Sequence, residues 1–309
     1  MTKVLVGIAT YKRPNMLKRL LKSIEQFKTD ADVRVLVADN DSAGREGLAV
    51  AAELASAGYR FPLDSIVVET QGLTYSRNAL IEKGFADPSV DFVAMMDDDQ
   101  WAEPLWLDAL LKVQRDTDAD IVGAAVWPEF EVPPPPWAVQ SKVYVLDTTT
   151  TGRVDILTGN GGILVARNVI SLLPPPWYDH EFAKTGGEDI DLFTRLRSAG
   201  GRFARAAGAV IHETFPASRI TLRWALARAY RSGNTDMRVT LRYHENASVL
   251  VKEGAKIAAA FIVAPIAFVV FSWSPGRRVD ALCKLWRAAG KIAALQGSRY
   301  DEYATIHGK

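Results

Sequence analysis

Asp91-Phe92-Val93-Ala94-Met95-Met96-Asp97-Asp98-Asp99-Gln100 is the stretch that decides the fold of this chain. Val93 to Met96 form an apolar run of strand length, and three carboxylates close it. A buried carboxylate costs on the order of several kcal/mol unless a cation offsets it. A divalent metal on hard oxygen ligands is the natural partner. In open α/β sheets, ligands sit beyond the carboxyl ends of the strands, so acids there mark a site for a phosphate-bearing ligand. The competing reading is a solvated turn or a helix N-cap, because Glu103-Pro104 follows and opens a helical pattern.

Upstream of this stretch, residues 4–9 are continuously apolar and read as a strand covered on both faces. Pro14 opens a helix with Leu17, Leu20, Leu21 and Ile24 at helical spacing. Strands at 33–38 and 65–69 and helices at 47–57 and 75–84 complete an alternating order. That order predicts an α/β fold with a mostly parallel, doubly wound, Rossmann-like sheet. Asp39 and Asp97 to Asp99 then share one sheet edge.

Downstream, a helix is expected at 104–116 and a strand at 121–127. Pro133 to Pro136 read as a polyproline loop. Residues 143–146 and 153–157 are expected to pair as short antiparallel strands, and 158–162 turn into a strand at 163–166. A helix at 188–199, separate strands at 202–206 and 209–212, and basic helices at 220–232 and 279–295 follow.

Composition sets limits on function. The chain has 309 residues, 48% of them hydrophobic, which is ample for a core. A net charge of +1 gives no global argument for nucleic acid. The single cysteine, Cys283, excludes a disulfide framework and a thiolate metal centre. The N-terminus reads at once as a strand, with no signal-peptide pattern.

Five segments line up as a constellation: Thr10-Tyr11-Lys12-Arg13, Asp39-Asn40-Asp41-Ser42, Gly72 with Ser76-Arg77-Asn78, Asp97-Asp98-Asp99, and Gly186-Gly187-Glu188-Asp189. In this order and spacing they resemble family 2 glycosyltransferases of the inverting GT-A type, over residues 1–215. The tail, with Arg223-Trp224, Gly233-Asn234 and Tyr300 to Tyr303, resembles the bacterial exopolysaccharide glucosyltransferases of the succinoglycan type.

The resemblance implies a GT-A catalytic domain at 1–215 that moves a hexose, glucose from UDP-glucose, with β linkage onto a polyprenyl-diphosphate-linked oligosaccharide. It implies Mn2+ or Mg2+ at Asp97 and Asp99, with His212 completing the metal site. It implies donor contacts from Thr10, Tyr11, Arg13, Asp39, Asn40, Arg77, Asp97 and Asp98. Alternation along an extended segment would turn Asp98 to the face opposite Asp97 and Asp99. For Asp39 the competing reading is a simple Asx turn. Asp189 matches the family's base, with Glu188 beside it, and Gly186 and Gly187 let the backbone approach the sugar. Asn160 is expected to shape the sugar pocket. Two alternatives stand at this point. One is a nucleotidyltransferase that makes sugar nucleotides, disfavoured because residues 10–15 hold no glycine; the other is an inactive membrane-anchored carbohydrate-binding protein.

Residues 216–309 differ in character. Arg219, Arg223, Arg228 and Arg231 with Trp224 and Tyr230 suit a phosphate-bearing or membrane-surface partner. Residues 257–273 are charge-free and apolar, with Pro265 at the middle and cations on both flanks. A re-entrant hairpin or two short helices dipping into one leaflet is expected there, with a buried core helix as the alternative. The helix at 279–295 has an amphipathic basic pattern of interfacial kind. The expected place is the cytoplasmic face of the inner membrane.

Overall fold

The computed structural model describes residues 1–144, 148–159, 161–243 and 246–300. In chain order it holds β1 (Lys3–Thr10), α1 (Pro14–Ile24), β2 (Asp32–Asp39), α2 (Glu46–Ser56), β3 (Leu63–Val67), α3 (Leu73–Ala86), β4 (Phe92–Asp97) and β5 (Gln100–Ala102). Next come α4 (Trp106–Thr117), β6 (Ile121–Phe130), α5 (Pro136–Gln140), β7 (Gly152–Val154), β8 (Ile163–Ala166), α6 (Val169–Leu172), α7 (Glu188–Ser198) and β9 (Phe203–Phe215). Three long helices follow: α8 (Leu222–Tyr243), α9 (Ala247–Val270) and α10 (Pro275–Leu295).

One sheet runs in the order β3-β2-β1-β4-β8-β6-β9-β5, with β7 also on β9. The expected parallel pairing holds across β3, β2, β1 and β4. Beyond β4 the sheet is mixed: β8 is antiparallel to both neighbours, whereas β9 is parallel to β6. Alternate strand residues feed two cores. Val4, Val6 and Ile8 meet Leu17, Leu20 and Leu21 of α1 and Trp106, Leu107 and Leu110 of α4. Leu5 and Ala9 turn to the other face, with Leu80 and Ile81 of α3 and Leu192, Phe193 and Leu196 of α7.

Several expectations need correction. The strand at 153–157 is the short β7 and pairs with β9, with Arg153 opposite Ala204. Its expected partner at 143–146 falls partly outside the described residues. The two strands expected at 202–212 are one strand, β9, and a register shift opposite Ala124 and Ala125 absorbs the residues read as a break. Pro136 opens the short helix α5 rather than ending a loop. The basic helix expected at 220–232 continues to Tyr243. Gly233 does not stop it because α8 and α10 cross there: a Cβ on Gly233 would lie 1.9 Å from the Arg287 carbonyl oxygen, and one on Gly290 2.0 Å from that of Tyr230. Close helix approach, not flexibility, is what these glycines provide.

The largest correction concerns residues 257–273. They do not form a hairpin; α9 is one continuous helix through Pro265. Proline removes one N–H donor, but the turns on either side keep their own bonds, and α9 packs along α10 through the buried Ala264. Neither is it a core helix. Ile262, Ile266, Val269 and Trp273 are 58–72% exposed, Ile262 at 64%. Most of its apolar length is exposed, and the helix is long and apolar enough to cross a membrane.

Candidate active site

β1, β2 and β4 end at the same sheet edge, where Thr10, Asn40 and Asp97 line a cleft of about 900 Å³, while Asp39 at the end of β2 lies buried outside its lining. Its floor is carried by the sheet and the start of α7; α8 and α10 form the facing wall. The cleft brings together Thr10, Tyr11, Arg13, Asn40, Arg77, Asp97, Asp98, Asp99, Glu188 and Asp189.

The three adjacent acids end β4 and turn into β5; Asp97 takes Arg77, while Asp98 and Asp99 share Arg13. Asp97 accepts from Arg77 Nη2 at 2.9 and 3.1 Å. Asp98 turns the other way, into the end of β1, where it accepts from Thr10 Oγ1 (2.9 Å), the Tyr11 backbone N–H (3.2 Å) and Arg13 Nη1 (2.9 Å). Asp99 accepts from Arg13 Nη1 at 3.1 Å and faces Arg219 Nη1 at 3.4 Å. Burial pushes the Asp98 carboxyl up to about 6, against the pull of Arg13.

Arg77 is the pivot of the floor. It lies buried on α3, reaches Asp97 on one side and Glu188 Oε1 (2.5 Å) on the other, and rests over the Tyr178 ring. Burial works against its charge, but Asp97 and Glu188 hold its pKa well above the ordinary value. Glu188 is raised to about 7 by burial, despite Arg77. Asp189 is the more exposed of the two acids opening α7, and its Oδ1 accepts the Ile190 N–H at 2.8 Å. The turn before it needs glycine: Gly187 has φ +93°, and a Cβ there would meet Thr235 Cγ2 at 1.9 Å.

Asp39 is buried at the end of β2 and binds backbone. Its oxygens accept the N–H groups of Asp41 (2.9 Å), Gly47 (2.8 Å) and Leu48 (3.2 Å), which fixes the start of α2. Asn40 holds the cleft wall beside it, donating to the carbonyls of Val68 and Thr70 and accepting from the Gly72 N–H.

His212 is not brought to Asp97 and Asp99. Successive residues of a strand face opposite sides, and on β9 it is Glu213 that lines the cleft. His212 stacks on Trp101, ring centroids 3.9 Å apart, with Nε2 3.2 Å from Glu103 Oε1. Glu213 is the acid the sequence reading passed over. It is raised to about 7 by burial first and the nearby Asp99 second. The signal was present: residues 212 and 213 cannot both face the site, and Glu213 is paired in register with Gln100, next to Asp99. Asn160, His244, Glu245 and residues 301–309, including His307, lie outside the described residues.

Two buried polar atoms of the cleft residues find no hydrogen-bond partner: Ser76 Oγ and Arg219 Nε. A buried donor without a partner is costly, so both atoms are left with unused hydrogen-bonding capacity at the cleft.

Residues 5–167 match the model of the glycosyl transferase family 2 domain. Over 241 residues the chain is 31% identical to the succinoglycan biosynthesis protein ExoM of Rhizobium meliloti (strain 1021), covering 76% of this chain and 74% of that protein. The chain belongs to glycosyltransferase family 2. Solved structures agree on the fold. A mannosyltransferase from Pyrobaculum calidifontis, PcManGT, in complex with GDP-Man and Mn2+, superposes with a TM-score of 0.66 at 15% identity, over 96% of this chain and 87% of that one. Residues 1–349 of S. aureus TarS, in complex with UDP, give 0.54 at 13% identity, over 100% and 95%. The chain spans 54% of the longer TarS structure. The family membership sets aside the nucleotidyltransferase alternative: the cleft belongs to a glycosyltransferase of GT-A fold, related to an exopolysaccharide biosynthesis protein.

Proposed function

We propose that this glycosyltransferase moves glucose from UDP-glucose, with inversion and hence β linkage, onto an oligosaccharide carried by a polyprenyl diphosphate. What carries the reading is the cleft at the ends of β1, β2 and β4. It joins an acidic turn to the Glu188-Asp189 pair and holds two unpartnered buried donors, Ser76 Oγ and Arg219 Nε. In this reading Thr10, Tyr11 and Asn40 line the nucleoside, and Asp39 reads it through the lone pairs its backbone bonds leave. Arg13 and Arg219 face the departing diphosphate and offset its charge.

A divalent ion, Mn2+ or Mg2+, supplies further stabilisation of that charge when bound. Among the described residues no three acid, histidine or cysteine side chains form a metal-holding group. The donor set still fits: Mg2+ is ordinarily held by one or two carboxylates plus substrate phosphates. Asp97 and Asp99 supply two such carboxylates at the cleft.

Asp189 is the base. It takes the proton of the acceptor hydroxyl as that oxygen forms its bond to the anomeric carbon, and the bond to the diphosphate oxygen breaks on the opposite face. Glu188, tied to Arg77, fixes the first turn of α7 and so the direction of Asp189. The acceptor is lipid-borne and the enzyme acts at the cytoplasmic face of the inner membrane; the support is the uncovered apolar face of α9 beside the catalytic body.

UDP release from UDP-glucose, measured with a lipid extract as acceptor source, tests this directly. Acceptor-dependent release from UDP-glucose is expected. Release from GDP-mannose alone would overturn the donor, and no release from any nucleotide sugar would overturn the reaction.

A further inference from the structure

The two walls of the cleft differ in how their charges are matched. On the floor, Arg77, Arg13 and Arg219 are matched to Asp97, Glu188, Asp98 and Asp99. The facing wall has a cationic surplus. Arg231 and Arg287 line it with Lys284 of α10 and Lys142, just after α5. Its two acids are already engaged: Asp236 by Arg287, and Asp280 by the Lys142 backbone N–H at 2.8 Å. Among the described residues, the Lys142 and Lys284 side chains make no ion pair with either acid.

Position distinguishes this wall from the donor end. Lys284 sits on α10, whose N-terminus follows directly from the exposed end of α9. Ten residues of helix separate Ser274 from Lys284, about 15 Å at the helical rise. The Arg231 guanidinium borders the turn into α7, with Nη1 3.4 Å from where a Cβ on Gly186 would stand, three residues before Asp189. The cations therefore form a path from the base to the apolar helix.

We infer that this wall, Arg231, Lys284 and Arg287 with Lys142, is the seat of the diphosphate of a lipid-borne acceptor, whose chain leaves along α10 toward the apolar face of α9. Charge complementarity and continuity with α9 both favour a lipid diphosphate over free phosphate. This deepens the acceptor assignment above and rests on it.

The test is calorimetric binding of farnesyl diphosphate to the detergent-solubilised full chain with UDP saturating. Saturable binding is expected, with none from farnesol or inorganic pyrophosphate at the same concentration. Lys284→Glu should weaken it at least about tenfold, the loss of one charge-assisted contact. Lys284→Gln should give a smaller loss and covers the case that the reversal fails to fold. Lys112→Glu, on the exposed outer surface of α4, should leave binding as it is. Competition between UDP and farnesyl diphosphate, equal binding of pyrophosphate, equal weakening by both lysine reversals, or no saturable binding would each overturn the inference. Failure of the donor reading shows separately, as absence of UDP release while farnesyl diphosphate still binds.

Discussion

The sheet edge and the C-terminal helices solve opposite problems. At the sheet edge, charge is taken out of water and the acids of the cleft floor meet cations: Asp97 on Arg77, Asp98 on Arg13, Glu188 on Arg77. On α9, apolar surface is left in contact with solvent, with Ile262, Ile266 and Val269 uncovered. The first arrangement fixes geometry, because a buried ion pair is costly to break and leaves little freedom to its members. The second leaves an apolar face of the kind that marks a surface for interaction with a membrane or another protein. Rigidity is concentrated where the chemistry is proposed, and attachment where the acceptor would be found.

The strongest way to break this contrast is at the base. Asp189→Asn should lower transfer by about 10²–10⁴-fold, the usual worth of a positioned base. UDP release with acceptor present measures it, and a rate near wild type would remove Asp189 from the mechanism. Next, Arg77→Leu strands the buried Glu188 and the half-buried Asp97 and should destabilise the protein by about 3–5 kcal/mol, read from denaturant unfolding. If the loss were small, the floor would not be the rigid lattice described.

On the helical side, Ile262→Asp places a charge in the middle of the apolar face. Such a group costs about 2.5–3.5 kcal/mol at the centre of a membrane helix, so sedimentation with anionic vesicles should fall sharply. Unchanged sedimentation would show that α9 is not the membrane contact.

The smallest effect concerns a structural pair away from the cleft. Asp120 accepts from the Arg202 backbone N–H (2.7 Å), from Arg202 Nη2 (2.8 Å) and from Asn168. The Arg202 and Asn168 hydrogen bonds hold its carboxyl below the ordinary value, against a burial effect that works the other way. A lowered folded pKa means stability that is full above the unfolded value near ~3.9 and is lost as pH falls through the folded one. Asp120→Asn should therefore flatten the acid side of the stability profile and lower stability at neutral pH by a modest amount, seen as Tm against pH.

Much of the fold could be read from local pattern. The run from Val93 to Asp99 marks a buried strand with its end at a site, and the helix beginning at Pro14 follows from leucine spacing alone. Where the reading failed, the deciding partner was distant in sequence. β7 pairs with β9 rather than with a neighbour, and α8 runs past Gly233 because Arg287, 54 positions on, presses its backbone there.

The sequence by itself determined that acids would gather at the carboxyl ends of β2 and β4, because strand period and apolar runs are local properties. It also determined that a charge-free segment would lie near the C-terminus. Only the tertiary structure decided that Arg77 joins Asp97 to Glu188, that Glu213 rather than His212 faces the cleft, and that α9 stays uncovered. Those outcomes depend on which distant side chains share a space, and burial and charge pairing act through space rather than along the chain.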